Sequence, residues 1–236
     1  MIVPKFRGRS VTRRGLLRAA RWVAIGLAAI YILIGVNLIW LRFVDPWFTM
    51  VQAQRRVESW FSKGKYQKRR TQVPLAKIAP DLQHAVIAAE DGRFYQHHGI
   101  DWQVIEDLIE DDLIEDGKLG RGGSTITQQL IKNLYATTHR SLIRKGLEFA
   151  VAPLAELILP KQRILELYLN NIEWGPGGVF GAEAAAQYHY RVHASQLSRD
   201  QAARLAVCIP APRRRRPASM TRSAGIVLNR MVQMQW

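Results

Sequence analysis

Ala85-Val-Ile-Ala-Ala-Glu90-Asp91-Gly-Arg93-Phe94-Tyr-Gln-His97-His98-Gly99-Ile-Asp101 is the stretch around which the chain is organised. Five small apolar residues, Ala85 to Ala89, run into two acids. An apolar wall raises a carboxyl pKa and a nearby arginine lowers it. Together they can poise a glutamate for proton transfer near neutral pH. The plainer alternative is a helix end whose acids cap and solvate the exit. Spacing alone leaves both open.

Outward from this stretch, the chain reads as helical. Pro80 opens a helix that reaches Ala89. Asp101 to Asp116 has apolar positions at Trp102, Ile105, Leu108, Ile109 and Leu113, a period near 3.6. Its other face carries Glu106, Asp107, Glu110, Asp111, Glu115 and Asp116, a solvated face that could also hold a divalent ion. Four glycines (Gly117, Gly120, Gly122, Gly123) break this helix. Ser124 or Thr125 then caps a new one, whose free amides favour an anion. Hydroxyls and the carboxamides of Gln128 and Gln129 are expected to face outward, toward sugar hydroxyls or phosphate oxygens. No Gly-Lys-Ser/Thr is present, so this is not a Walker loop. Arg140, Arg144, Lys145 and Glu148 lie on the following helix, with Arg144 and Glu148 sharing a face. Lys161 to Asn170, Ala182 to Tyr190 and Ser195 to Cys208 are further helices. Asn171 to Gly181 is a glycine-rich turn. Past the apolar N-terminal run no alternating β pattern stands out, so the fold class is mainly α.

Toward the N-terminus, residues 1–21 are basic without an acid (Lys5, Arg7, Arg9, Arg13, Arg14, Arg18, Arg21). Residues 22–41 hold no charge and are flanked by Trp22 and Trp40. About 20 apolar residues of helix span a hydrocarbon core, and interfacial tryptophans fit its two edges. The run is too long for a signal-peptide core and no small-residue cleavage site follows closely. The basic leader is expected to stay cytoplasmic, which sends the rest of the chain across the membrane. Residues 42–70 mix Trp47, Phe48, Trp60 and Phe61 with Arg55, Arg56, Lys63, Lys65, Lys68, Arg69 and Arg70, a composition suited to anionic headgroups. Ser62-Lys63-Gly64-Lys65 matches Ser-x-x-Lys, but neither Ser-Asp-Asn nor Lys-Thr-Gly follows, so it is set aside. Net charge is +15 over 236 residues. Such a chain seeks anionic partners: nucleic acid, anionic lipid or a pyrophosphate-bearing substrate. A single cysteine, Cys208, excludes an internal disulfide and a cysteine-based metal site.

Four motifs in order resemble the monofunctional biosynthetic peptidoglycan glycosyltransferases, the membrane-anchored murein transglycosylases. They are Glu90-Asp91-x-x-Phe94-x-x-His97-x-Gly99, Gly122-Gly123-Ser124-Thr125-Ile126-Thr127-Gln128-Gln129, Arg144-Lys145-x-x-Glu148, and Lys161-x-x-Ile164-Leu165-Glu166-x-Tyr168-Leu169-Asn170. The resemblance covers about Met50 to the C-terminus. It implies a single transmembrane helix followed by a lysozyme-like helical glycosyltransferase domain (71–236) with a small membrane-proximal lobe. The implied reaction polymerises lipid II, a disaccharide-pentapeptide on undecaprenyl pyrophosphate, into β-1,4 glycan. It would take place on the outer, periplasmic side of the bacterial inner membrane.

By the same resemblance, Glu90 is the base that takes the acceptor hydroxyl's proton, with inversion at the donor carbon, and Arg93 could keep it ionised. Lys132, Arg140, Arg144 and Lys145 are the cations available to the leaving diphosphate, of which Lys132 and Arg140 match positions that face it, and Glu148 is the second acid of the site. Ser124, Thr125, Gln128 and Gln129 contact donor sugar or phosphate. Asp91, Arg93, Phe94 and His97 support the loop, and His98 is incidental. No resident metal or cofactor is implied; a divalent cation (Mg or Mn) at the donor pyrophosphate is the one admitted. The implied partners are lipid II, the lipid-linked glycan, anionic membrane lipid, and cell-wall synthesis or division proteins, with no nucleic acid. His189 stands where an aromatic is usual, and Arg191 to His193 lacks the usual glycine-lysine turn. Two other functions compete: a muramidase, which has no diphosphate to stabilise, and a membrane-tethered scaffold, which does not need Glu90.

Overall fold

The computed structural model describes residues 13–62, 66–114 and 123–236, without the side chains of 109–114. Several expectations therefore lie outside the described residues: Lys5, Arg7 and Arg9 of the leader, Lys63 and Lys65 of the linker with the Ser-x-x-Lys match, Glu110, Asp111, Glu115 and Asp116 of the acidic face, and Gly117, Gly120 and Gly122.

The chain is mainly helical. Helix α1 (Arg13–Leu41) is followed by α2 (Met50–Trp60), α3 (Pro80–Glu90), α4 (Trp102–Ile114), α5 (Ile126–Tyr135), α6 (Leu142–Ile158), α7 (Lys161–Asn171), α8 (Ala182–Tyr190), α9 (Arg199–Cys208) and α10 (Thr221–Gln233). Three very short strands, β1 (Arg69–Arg70), β2 (Glu173–Gly175) and β3 (Val179–Phe180), form one sheet in the order β1-β3-β2. β1 runs parallel to β3, and β2 antiparallel with a bulge between Glu173 and Gly175.

Most of α1 is bare: Trp22, Leu27 and Leu33 are exposed. Residues Arg14–Leu41 are long and apolar enough to cross a membrane. Its C-terminal end is different. Ile34, Leu38 and Leu41 enter the domain core. Asn37 Oδ1 accepts from the Tyr135 hydroxyl at 2.7 Å, and the Leu41 carbonyl accepts from Arg163 Nε at 2.8 Å. Arg42 donates to the Ile158 carbonyl at 3.1 Å, and Arg163 also pairs with Asp45 at 2.8 Å. The end of α1 is thus pinned to α5, α6 and α7. Helix α2 lies in the segment expected to associate with membrane. It packs on α5 through Val51 and Gln52, while Arg55 reaches Glu173 of β2.

The core is built by helices whose small residues allow close approach. Ala202, Ala203 and Ala206 of α9 sit against Ala85, Val86 and Leu82 of α3, all buried. α10 adds Ala224, Val227 and Met231. α5 packs between α6 and α7. Cys208 is buried here, its thiol pushed up to about 11 by burial, as for a core residue. At the end of α8, Arg191 takes the left-handed conformation (φ 59°) that glycine usually supplies. His189 Nε2 donates to the Trp174 carbonyl at 3.1 Å, and its ring meets Tyr188 edge-on.

Candidate active site

The last turn of α3 ends in Glu90, and Asp91 breaks the helix with extended φ (−159°). That break sends the two acids to different places. Asp91 turns inward and is buried. Its Oδ1 lies 2.9 Å from His97 Nε2, and its Oδ2 accepts the Ile126 amide of α5 at 2.8 Å. His97 Nδ1 accepts the Gly99 amide at 3.2 Å, so the network assigns the ring proton to Nε2, toward Asp91. Gly99 has φ +90°, and a Cβ there would lie 2.7 Å from the Ala152 backbone of α6. Its carbonyl accepts from Thr125 Oγ1 at 2.7 Å. Phe94 is fully buried, with the Lys161 ammonium 4.4 Å from its ring centre. The loop from Asp91 to Gly99 is therefore riveted to the start of α5 and to α6.

Thr125 is the N-cap of α5, and with Gln128 it forms a capping box. The expectation that the polar residues here face outward needs correction. Thr125, Thr127 and Gln128 are buried. Gln128 Oε1 accepts the Thr125 amide at 3.2 Å, and Thr127 donates to Glu156 at 2.5 Å. Three residues after the cap, a glutamine turns back onto the helix start rather than toward a ligand. Gln129, one position on, reaches Glu90 instead.

Glu90 is half-buried. Burial pushes its carboxyl up; the hydrogen bond from Gln129 and the charges of Lys132 and Arg215 pull the other way. Gln129 Nε2 donates to Glu90 Oε2 at 2.8 Å, and Gln129 Oε1 accepts from the fully buried Tyr168 hydroxyl at 2.8 Å. The hydroxyl fixes which end of the amide meets Glu90. Tyr168 lies in the fourth motif but was not among the expected site residues. Arg93 is a second correction. It makes a two-point ion pair with Asp101, at 3.0 Å through Nε and more closely through Nη2, and is not among the largest influences on Glu90. The guanidinium fastens the start of α4 instead, since Asp101 also accepts the Val104 amide at 3.2 Å.

Lys132 sits one helical turn beyond Gln129. Burial pulls its ammonium down, Glu148 and Glu90 raise it, and Arg144 and Lys145 lower it. Both acids and three cations thus share one groove between α3, α5 and α6. Glu148 is buried, 3.2 Å from Lys145 Nζ and 3.3 Å from Arg144 Nε. Lys145 Nζ also donates to Ser124 Oγ at 2.9 Å. Arg140 is exposed in the α5–α6 connection and makes no hydrogen bond or ion pair with the described residues. His98 is exposed, as expected of an incidental residue. Asp91, His97 and Asp101 lie close enough to suggest a metal centre. Their lone pairs are engaged by one another, by Arg93 and by backbone amides, so the donor set is a structural latch.

A family model described as Transglycosylase matches residues 56–232. The chain belongs to the transglycosylase family. The match takes in the second half of α2 as well as the groove helices. Among curated transglycosylases, the chain is 45% identical over 197 residues to the biosynthetic peptidoglycan transglycosylase of Pseudomonas fluorescens strain SBW25, covering 84% of this chain and 78% of that one. It is 43% identical over 225 residues to the protein of the same description from Pseudomonas entomophila, covering 94% and 91%.

Proposed function

We propose that this transglycosylase is a peptidoglycan glycosyltransferase that polymerises lipid II into β-1,4 glycan for bacterial cell-wall synthesis. The observation that carries the reading is the shared groove: a carboxyl raised by burial, Glu90, and a desolvated ammonium, Lys132, act on one another beside Glu148. A hydrolase that cleaves finished glycan has no lipid diphosphate to release and no use for this cation set.

In the proposed reaction the 4-hydroxyl of lipid II attacks the anomeric carbon of the lipid-linked chain. Glu90 accepts the hydroxyl proton as the new C–O bond forms. The bond from that carbon to the diphosphate oxygen breaks on the opposite side, with inversion, and undecaprenyl diphosphate leaves. Lys132, Arg144 and Lys145 neutralise the charge that develops on the leaving oxygen. Arg140, exposed in the α5–α6 connection, would join them on the diphosphate. Gln129 holds Glu90 in place, and Ser124 holds Lys145. Glu148 keeps the cations together.

Glu148 Oε1 accepts no hydrogen bond from the described residues, although Arg144 Nε stands 3.3 Å from it as an ion-pair partner. One carboxylate oxygen with substrate phosphates is the usual donor set for Mg, so a divalent ion would be held there by Glu148 and the diphosphate, adding neutralising charge. The steps above do not depend on it. Helix α1 would anchor the chain in the inner membrane, with residues 1–21 in the cytoplasm and the groove on the periplasmic side. Exposed Phe43, Trp47, Phe48, Trp60 and Phe61 would lie on its anionic lipids.

The test supplies labelled lipid II to the full-length protein in detergent and follows glycan length. The parent makes long glycan; Glu90→Gln loses on the order of 10²-fold or more in rate. Shortening of pre-formed glycan, or equal polymerisation by the two proteins, would overturn the reading.

A further inference from the structure

A cavity of about 680 Å³ opens between the end of α2, the β2–β3 turn and the Arg213–Arg214 loop. Its lining does not include Glu90, Lys132 or Glu148. Arg213 lines the cavity, and Arg215, two residues on, acts electrostatically on Glu90. Two residues of chain reach at most about 7 Å. The loop that supplies Arg213 to the cavity thus also supplies, through Arg215, a charge that is felt at Glu90.

The cavity's chemistry is mixed in sign. Arg55 on its floor is engaged, bonded to Glu58 at 2.9 Å and to Glu173 at 2.9 Å. Glu58 is saturated by Gln54, Arg55 and Arg213. What remains open is specific. Glu173 Oε1 accepts no hydrogen bond from the described residues, although the side chain is 7% exposed and burial pushes its carboxyl up. The Tyr66 hydroxyl is buried without a partner among the described residues. The Arg214 side chain is exposed and makes no hydrogen bond or ion pair with them either. Gly178 (φ +96°) lets the β2–β3 turn pass close to Tyr66, where a Cβ would lie 2.8 Å from the ring. Cavities of this size accept ligands with many heavy atoms, more than a lone diphosphate supplies. A purely anionic group would also face Glu173 and Glu58.

We propose that this cavity binds the peptide of the acceptor lipid II, with Arg213 and Arg214 on its carboxylates and Glu173 on its free amine. The proposal rests on the glycosyltransferase reading above and adds a determinant for the part of the substrate that does not react. It makes the enzyme a reader of the peptide as well as of the sugar and lipid. Binding energy from such a remote part can be used to hold the attacking hydroxyl against Glu90.

Two measurements on the full-length protein test it. In the first, kcat/KM is measured for lipid II and for the same lipid-linked disaccharide without its peptide. The ratio of the two falls about tenfold in Arg214→Ala, the scale of one charge-assisted hydrogen bond. It falls about as far in Glu173→Gln, and that loss disappears when the peptide amine is acetylated beforehand. In the second, the soluble disaccharide-pentapeptide, without lipid, is titrated calorimetrically; Arg214→Ala weakens its binding by the same factor. An unchanged ratio together with unchanged binding overturns the peptide site, whether or not overall turnover drops. A parent that makes no glycan but binds the soluble pentapeptide through Arg214 would overturn the polymerase reading and leave the site standing.

Discussion

Glu90 and Asp91 are adjacent in the chain and opposite in their surroundings. Asp91 is buried and bonded by neutral donors on two sides, the His97 ring and the Ile126 amide. Glu90 has one side-chain hydrogen-bond partner among the described residues, Gln129, and faces a groove in which burial disfavours its charge. A satisfied acid stabilises a loop; a desolvated one is held ready to take a proton. The helix break at Asp91 makes the difference, because one extended residue turns consecutive side chains to opposite sides. Stability and chemistry should therefore separate cleanly between these two positions.

The widest separation is expected from Glu90→Gln. Activity drops on the order of 10²-fold or more, while the melting temperature at pH 7.5 stays equal to the parent's or rises. The sign follows from the raised carboxyl: the parent's stability at this position is full below the ordinary 4.5 and is lost as pH climbs through the higher folded value. The mutant's advantage should vanish in melts below pH 4.5. A mutant that melts well below the parent at pH 7.5 would place Glu90 with Asp91 as a structural acid.

Asp91→Ala should do the reverse. It strands the Ile126 amide and the His97 ring, and costs about 3 kcal/mol in denaturant unfolding. Gly99→Ala attacks the same latch by sterics, since its Cβ meets the Ala152 backbone at a φ unfavourable for alanine. About 2 kcal/mol is expected. If either variant keeps full stability but loses turnover, the latch is part of the chemistry.

Tyr168→Phe sharpens the comparison with a smaller effect. Loss of the hydroxyl frees the Gln129 amide to rotate and removes about 1 kcal/mol of stability. Because the Gln129 bond pulls the Glu90 carboxyl down, the acid limb of the kcat/KM profile should move to higher pH. A limb that stays put would show that Gln129 holds its direction unaided. At the other end of the profile, Lys132 is drawn below the ordinary 10.5 by burial, so turnover should fall in alkali before a normal lysine titrates. Lys132→Arg, which stays charged, should extend activity to higher pH even with a lower maximum.

Helix starts and stops were legible in the chain. Pro80, Thr125 and Pro160 mark real beginnings, and the apolar run before Glu90 is a real helix. The neighbourhood of Lys132 was partly legible too, since the charges of both Glu90 and Glu148 act on it. What local reading could not supply were partners distant in sequence or across a turn. Tyr168 and Gln129 are 39 residues apart, and Arg93 reaches Asp101 eight residues on through a non-helical turn. Gln128 and Gln129 look alike in sequence, and only the capping box decides which one turns back. In α1, bare hydrocarbon and core-facing hydrocarbon have the same composition, so the buried footing at Leu38 and Leu41 left no mark.

That footing makes the anchor a strut rather than a leash. Cutting the chain after Leu41 to obtain a soluble enzyme would strip the hydrocarbon lid contributed by Ile34 and Leu38 from the underside of the domain. It would also cut away the Asn37 amide on which the Tyr135 hydroxyl rests, at the very end of the helix that carries Gln129 and Lys132. The truncated protein should be sticky without detergent and loosened at the groove. Its rates would then report a released active site rather than the one that works at the bilayer.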